Sequence, residues 1–187
     1  MNISVVTRNI GIALLFNAMF MFISVIVSVI YNFDSAFSPL LLSGVITFTT
    51  GLFPLIFVRK HEEIHIKEGF TIIVLSWILS CLFGMLPYVL WGGEFTLINA
   101  WFESVSGFTT TGATILVDIE ALPNGLLFWR SFTNWLGGMG VLVFLLAISS
   151  GSGRDKGFTM HLLRAESPGP DVGKLVPKMR NTATILY

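Results

Sequence analysis

The segment 109–114, with the sequence TTTGAT, contains the residue types best suited to binding a dehydrated cation. Rings of backbone carbonyl oxygens can replace the hydration shell of potassium, and such filters are built from short Thr- and Gly-rich segments. Gly112 lacks a Cβ and can adopt a positive φ, so that neighbouring carbonyls can point toward one axis. The same composition is also common in turns, and Thr49-Thr50-Gly51 repeats part of it without a preceding short helix. We interpret that second occurrence as a site where helices pack closely.

A second pattern with chemical potential is HEEIH at 61–65, which matches the HExxH arrangement of zinc peptidases. On a helix its two imidazoles would lie one turn apart and could bind zinc, with Glu62 as general base. Zinc needs a third protein ligand, and His161 is the only other histidine in the sequence. The pattern lies in a short charged segment between long apolar runs, which favours a solvated loop. We therefore expect no enzyme activity, with a zinc membrane protease as the alternative.

The overall composition is that of a membrane protein. Hydrophobic residues make up 53% of the chain and charged residues 12%, about half the charged share of a soluble domain. The formal net charge is zero, so the charge predicts no nucleic-acid partner. Cys81 is the single cysteine, which excludes a disulfide within the sequence.

Four apolar windows contain no Asp, Glu, Lys or Arg, and they span residues 9–33, 35–58, 69–93 and 131–153. Each window exceeds the roughly 20 residues that a helix needs to cross about 30 Å of hydrocarbon. We predict transmembrane helices near 10–31, 39–58, 69–91 and 127–149. Pro54 and Pro87 are placed near helix ends, where a lost backbone hydrogen bond costs least.

The basic residues predict the orientation in the membrane. With four crossings, all of the eleven Lys and Arg residues except Arg130 fall on one side. The positive-inside rule makes that side cytoplasmic and places the N-terminus there. Arg130 is interpreted as an interfacial arginine with its stem in lipid, with repulsion of cations or pairing with Asp118 or Glu120 as alternatives. The opposite side carries four acidic residues that form either an acidic vestibule, which would concentrate cations, or ordinary solvated loops: Asp34, Glu94, Asp118 and Glu120.

A short apolar segment at 97–108 precedes the TTTGAT sequence. Thr96 is suited to cap a helix there, and about a dozen helical residues reach only ~18 Å. That length suits a re-entrant helix whose C-terminal partial negative charge faces a cation. Glu103 lies within this helix, where a lipid-facing charge would cost roughly 2.5–3.5 kcal/mol. We therefore expect Glu103 to turn inward and brace the following loop, with direct ion binding as the alternative.

The stretch FESVSGFTTTGAT at 102–114 resembles the first pore loop of the Trk/Ktr potassium-transporter superfamily. WLGGMG at 135–140 resembles the start of the next helix in that family. RAESPGP at 164–170 and KLVPK at 174–178 resemble its cytoplasmic connector to the second repeat. The two leading helices are similar to the N-terminal extension of the TrkH/TrkG type.

The resemblance implies roles for individual residues. Carbonyls of Thr110, Thr111, Gly112 and Ala113 would form the filter, with potassium bound at the first three. Glu103, Thr109 and Thr114 would support it. A glycine at position 112 goes with potassium permeation in this superfamily, whereas serine goes with sodium preference.

The expected fold is an all-α integral membrane protein with two leading helices and one helix–pore loop–helix unit. The first part, 1–60, contains two transmembrane helices, and a cytoplasmic turn follows at 61–68. The first pore repeat occupies 69–150, with its pore helix at 97–108 and its filter at 109–114. A connector with the start of the next membrane helix occupies 151–187. The family builds its pore from four such units, so we expect this chain to be a fragment that supplies the first. A short subunit that assembles four copies is the rival interpretation.

The resemblance also implies the setting in which the chain works. Its partners would be the three remaining pore repeats, a second copy in a homodimer, a cytosolic TrkA-like nucleotide-binding ring, and membrane lipid. No covalent cofactor is expected, and potassium is the transported ion. The implied location is the bacterial cytoplasmic (inner) membrane, crossed several times. A non-conducting membrane scaffold is a further alternative, in which larger residues would be tolerated at Gly112.

Overall fold

The structure is a computed structural model that describes residues 3–58 and 66–139. All regular secondary structure within these residues is α-helical, which confirms the predicted fold class. The helices are α1 Ile3–Ile30, α2 Phe37–Phe57, α3 Ile66–Gly84, α4 Leu86–Trp91, α5 Leu97–Phe108 and α6 Asn124–Met139. Several predictions fall outside the described residues: the HEEIH pattern, His161, residues 140–149 of the fourth predicted helix and the connector 151–187.

Three spans in the described part are long and apolar enough to cross a membrane, namely Ile3–Ile30, Phe37–Phe57 and Glu68–Trp91. The third span comprises α3 and α4, where the sequence predicts one uninterrupted helix. Met85 joins them with helical backbone angles, φ −79° and ψ −17°, and Pro87 lies in the first turn of α4. Proline is well accommodated there because the first helical N–H groups have no intrahelical acceptor. One crossing is therefore built from two helical segments.

The pairing of α1 with α2 depends on two glycines. A Cβ added to Gly11 would lie 2.6 Å from the Gly51 carbonyl oxygen, and one added to Gly51 would lie 2.8 Å from the Gly11 carbonyl oxygen. Neither position has room for a side chain, so the two backbones cross in direct contact. The interpretation of Thr49-Thr50-Gly51 as a packing site is confirmed.

Helix α1 begins earlier than predicted and includes Arg8. The Arg8 guanidinium donates to the carbonyl oxygens of Leu55 and Val58, at 3.3 and 2.9 Å. These carbonyls lie at the C-terminal end of α2, where a positive charge stabilises the helix. The charge-free window excluded Arg8 from the span because Arg8 is charged. Its long side chain, however, carries the charge away from the helix on which Arg8 lies.

The main core is formed by residues from all six helices. Its largest fully buried aromatic side chains are those of Tyr88, Phe108 and Trp129. Phe20 of α1 stacks on Phe132 of α6, with ring centroids 3.9 Å apart. The leading helices therefore pack directly against the helix that follows the TTTGAT segment.

Candidate cation-binding loop

Helix α5 has the bounds of the predicted short helix, and its first turn is capped. Thr96 is extended, with φ −64° and ψ 167°, and its Oγ1 accepts from the Asn99 backbone N–H at 3.3 Å. The Asn99 side chain donates in turn to the Glu94 carbonyl oxygen at 2.9 Å. Twelve residues give α5 a length of about 18 Å.

The loop formed by residues 109–114 folds back onto the C-terminal end of α5. Four successive backbone N–H groups, those of residues 109–112, donate to carbonyl oxygens in the last turn of α5. The distances range from 2.9 Å for Thr109 to 3.4 Å for Gly112. Thr110 and Gly112 have φ values of 57° and 73°. A left-handed threonine is uncommon, so this reversal is imposed by the surrounding contacts.

The carbonyl oxygens of the loop differ from its N–H groups in their hydrogen bonding. Within the described part of the chain, no hydrogen bond is accepted by the carbonyl oxygens of Thr110, Thr111 or Gly112. The Ala113 carbonyl, in contrast, accepts from Ser106 Oγ at 2.6 Å. Residues 109–113 are exposed in this chain. Three of the four predicted filter carbonyls are thus available as ligands, whereas the fourth already has a protein partner.

Threonine side chains hold both ends of the loop. Thr109 Oγ1 donates to the Val105 carbonyl at 2.7 Å and lies 2.8 Å from Thr111 Oγ1. At the other end, Thr114 Oγ1 donates to Glu103 Oε1 and accepts from the Leu116 N–H at 3.1 Å. These contacts are of the kind expected for supporting residues.

Glu103 connects the loop to α6. Its carboxylate is 1% exposed. Oε1 accepts from Thr114 Oγ1 and from the Ile115 backbone N–H at 2.8 Å, while Oε2 accepts from Arg130 Nε at 3.2 Å. Both oxygens are engaged by protein groups, which favours the bracing role over direct ion binding.

The interpretation of Arg130 as an interfacial, lipid-facing arginine was wrong. Its side chain is 15% exposed and forms an ion pair with Glu103. Asp118, considered as another partner, instead accepts from the Glu120 backbone N–H at 3.0 Å. A signal was present in the sequence, because a buried acid requires a partner and Arg130 is the sole basic residue between Lys67 and Arg154.

Helix α6 contacts the backbone of the loop directly. A Cβ added to Gly137 would clash with the Phe108 carbonyl oxygen and lie 3.0 Å from Thr110 Cγ2. One turn earlier, Thr133 packs against the backbone of Gly107. Trp129 Nε1 donates to the Gly84 carbonyl oxygen at 3.1 Å, which ties α6 to the end of α3. The loop is therefore enclosed on one side by α5 and α6.

No group of three or more His, Cys, Asp or Glu residues suited to a metal ion is found among residues 3–58 and 66–139. The loop instead presents backbone carbonyl oxygens, those of Thr110, Thr111 and Gly112, that accept no hydrogen bond within the described residues. Such ligands suit a weakly hydrated monovalent cation that is bound and released in turn.

Comparison with known proteins places these features in context. A family model described as "TrkH: Cation transport protein" matches residues 39–187. The Trk system potassium uptake protein TrkH of Salmonella typhimurium is 41% identical over 131 residues, which cover 69% of this chain and 26% of that protein. TrkH of Halomonas elongata is 34% identical over 191 residues, covering 100% of this chain and 39% of the relative.

A solved structure of a TrkH protein also matches this chain. The crystal structure of the potassium transporter TrkH from Vibrio parahaemolyticus matches with a TM-score of 0.77 and 28% sequence identity. The match covers 100% of this chain and 37% of that one. The chain thus spans between 26% and 39% of the length of these relatives.

Proposed function

Because the chain belongs to the TrkH cation transport family, we propose that it supplies one wall of a potassium pathway across a membrane. The pathway runs along Thr110, Thr111, Gly112 and Ala113, with potassium bound at the first three. Relatives bearing this similarity are named potassium uptake proteins. Their names indicate transport and point to a non-enzyme.

The observation that carries this proposal is the difference in hydrogen bonding between the N–H groups and the carbonyl oxygens of the loop backbone. Its N–H groups are used by α5, while the carbonyl oxygens of Thr110, Thr111 and Gly112 accept no hydrogen bond within the described residues. A row of unused carbonyls with the C-terminal end of α5 behind it is attractive to a cation. The left-handed Gly112 permits this arrangement without a Cβ on the side of the path.

We propose that the chain provides the first of four pore repeats and that three further repeats close the ring. The exposure of residues 109–113 supports this, since one repeat leaves the carbonyls facing outward. The proposed assembly is a homodimer in the bacterial cytoplasmic membrane with the N-terminus inside. A cytosolic nucleotide-binding ring would regulate it. The support for the assembly is the resemblance to the family.

The test is rubidium uptake, as a potassium surrogate, in bacterial cells that lack their own potassium importers. The complete open reading frame would be expressed unchanged, as Gly112→Asp, and as Gly92→Asp. Gly92 is the matched control because it also has a left-handed φ, 81°, and also has no heavy atom within 4 Å of an added Cβ. Both substitutions place a side chain at a positive φ with open space around it, but only position 112 lies on the proposed path.

We expect Gly112→Asp to abolish uptake at a normal amount of protein in the membrane, and Gly92→Asp to retain it. Equal uptake by both variants would remove Gly112 from the path and favour a non-conducting scaffold. Equal loss in both would indicate that strain, and not the path, is being measured, and would leave the proposal unsupported.

A further inference from the structure

The turn between α1 and α2 contains an acidic residue whose contacts reach α6. Two successive residues, Asn32 and Phe33, have left-handed φ values of 61° and 55°. The chain reverses there, and the Asp34 N–H donates back to the Ser28 carbonyl oxygen at 3.4 Å. This reversal directs the Asp34 side chain into the bundle, where it is partly buried.

The carboxylate of Asp34 is shared between two elements that are far apart in the sequence. Oδ1 accepts from Ser28 Oγ and from the Ala36 backbone N–H at 3.1 Å. Oδ2 accepts from the Gly125 backbone N–H at 2.9 Å. Gly125 lies in the first turn of α6, so Asp34 satisfies a donor that the helix itself leaves open. Its negative charge also faces the positive end of the α6 dipole.

The first turn of α6 fits tightly into the α1–α2 turn. A Cβ added to Gly125 would lie 2.9 Å from Leu40 Cδ1, 3.0 Å from Ser28 Cβ and 3.2 Å from Ala36 Cβ. Ser28, Ala36 and Leu40 are fully buried. The hydrogen bond therefore forms at a close-packed contact, and a sideways shift of α6 requires it to break.

Further along α6 are the residues that contact the loop and its brace. Arg130 bonds to Glu103, Thr133 packs on Gly107, and Gly137 packs on the Phe108 carbonyl. Because two of these contacts meet backbone atoms at the end of α5 and the third is an ion pair with the brace of the loop, a displacement of α6 would also move the loop. We propose that Asp34 is a positioning residue for the cation path: it fixes α6, and through α6 it fixes the conformation of loop 109–114. This inference rests on the proposed function.

The experiment uses the complete protein with three substitutions, Asp34→Ala, Asp34→Asn and Asp118→Ala. Asparagine keeps one oxygen that can accept from Gly125, whereas alanine keeps none. Asp118 is the matched control, since it accepts a backbone N–H within its own exposed loop and no described contact joins it to α6. Hydrogen exchange of purified protein is measured at residues 124–128, and rubidium uptake is measured with and without competing sodium.

We expect Asp34→Ala to speed exchange in the first turn of α6 at least about twofold, the lower range for a lost helix cap, and to lower the preference for rubidium over sodium. Asp34→Asn should recover only part of both, because its amide oxygen can accept from Gly125 but the charge that faces the α6 dipole is lost. Asp118→Ala should change neither. A purely structural role would reduce the amount of protein in the membrane but leave the ion preference per molecule unchanged, which would overturn the inference. If Asp34→Ala does not reach the membrane, unaltered exchange and preference in Asp34→Asn overturn it as well.

The two proposals fail in different ways. If the unaltered protein transports no rubidium, or if Gly112→Asp transports as well as the unaltered protein, the proposed function fails. If transport requires Gly112 but the ion preference is indifferent to Asp34, only the inference about Asp34 fails.

Discussion

The ion pair between Glu103 and Arg130 gives the sharpest prediction about what holds the loop. Removing Arg130 while keeping Glu103 leaves a carboxylate that is 1% exposed without its charged partner. The cost of stripping one member from a buried pair is about 3–5 kcal/mol. Glu103→Gln is milder, because the amide oxygen can still accept from Thr114 and Ile115, and the Arg130 charge that loses its partner is 15% exposed. We expect a cost of about 1.5–3 kcal/mol for that change.

These values predict a rescue. Arg130→Gln alone should be the least stable variant, and adding Glu103→Gln to it should restore at least about 1 kcal/mol because no buried charge then remains uncompensated. The first substitution should therefore lower Tm, and the second should raise it again.

The assay is thermal unfolding of the purified full-length protein, followed by the fraction that stays monodisperse, together with rubidium uptake. Glu94→Gln serves as the control, since Glu94 is an exposed acid in the α4–α5 turn. If the double variant is no more stable than Arg130→Gln, or if the two single effects simply add, the two groups do not act as a pair. The reasoning from their geometry would then be refuted.

Two further predictions concern single contacts of α5 and α6. Gly137→Ala should prevent folding or abolish uptake, because its Cβ would clash with the Phe108 carbonyl, whereas Gly138→Ala should be far milder, since its nearest neighbour is Thr110 Cγ2 at 3.8 Å. The amounts of membrane-inserted protein and uptake per molecule check this order, and equal effects would contradict it. Thr96→Ala should cost about 1 kcal/mol by removing the cap of α5; the same Tm assay checks this, and a Tm equal to that of the unaltered protein would show that the cap is not stabilising.

Composition and helix length were sufficient to predict the membrane fold and the short α5 helix. Charge-free windows identified the long spans because burying a charge in hydrocarbon is costly. They misplaced the start of α1, which includes Arg8 because its guanidinium reaches the end of α2. The fourth helix, predicted to begin near 127, begins at Asn124.

The contacts that position the loop could not be predicted from the periodicity of the sequence. Asp34 was read only as one of four acids on the same side, yet its partner Gly125 is 91 residues away. Glu103 was predicted to turn inward from the cost of its charge, but no local pattern indicates which base it meets 27 residues later. Pairing at such separations depends on how the helices pack, and the spacing of residues along a single sequence does not show that packing.

The way in which the loop is held bears on how a short segment could discriminate between ions. Its first four N–H groups bond to α5, Thr114 and Ile115 bond to Glu103, and Gly137 of α6 packs against the Phe108 carbonyl. Every one of these contacts leaves the carbonyl oxygens of Thr110, Thr111 and Gly112 unused. Because the loop is held through its N–H groups and its flanking residues, its carbonyl oxygens keep a defined position without being used as hydrogen-bond acceptors. If the loop is the ion path that we propose, substitutions behind it should therefore change which ion is preferred even though they touch none of its carbonyl oxygens.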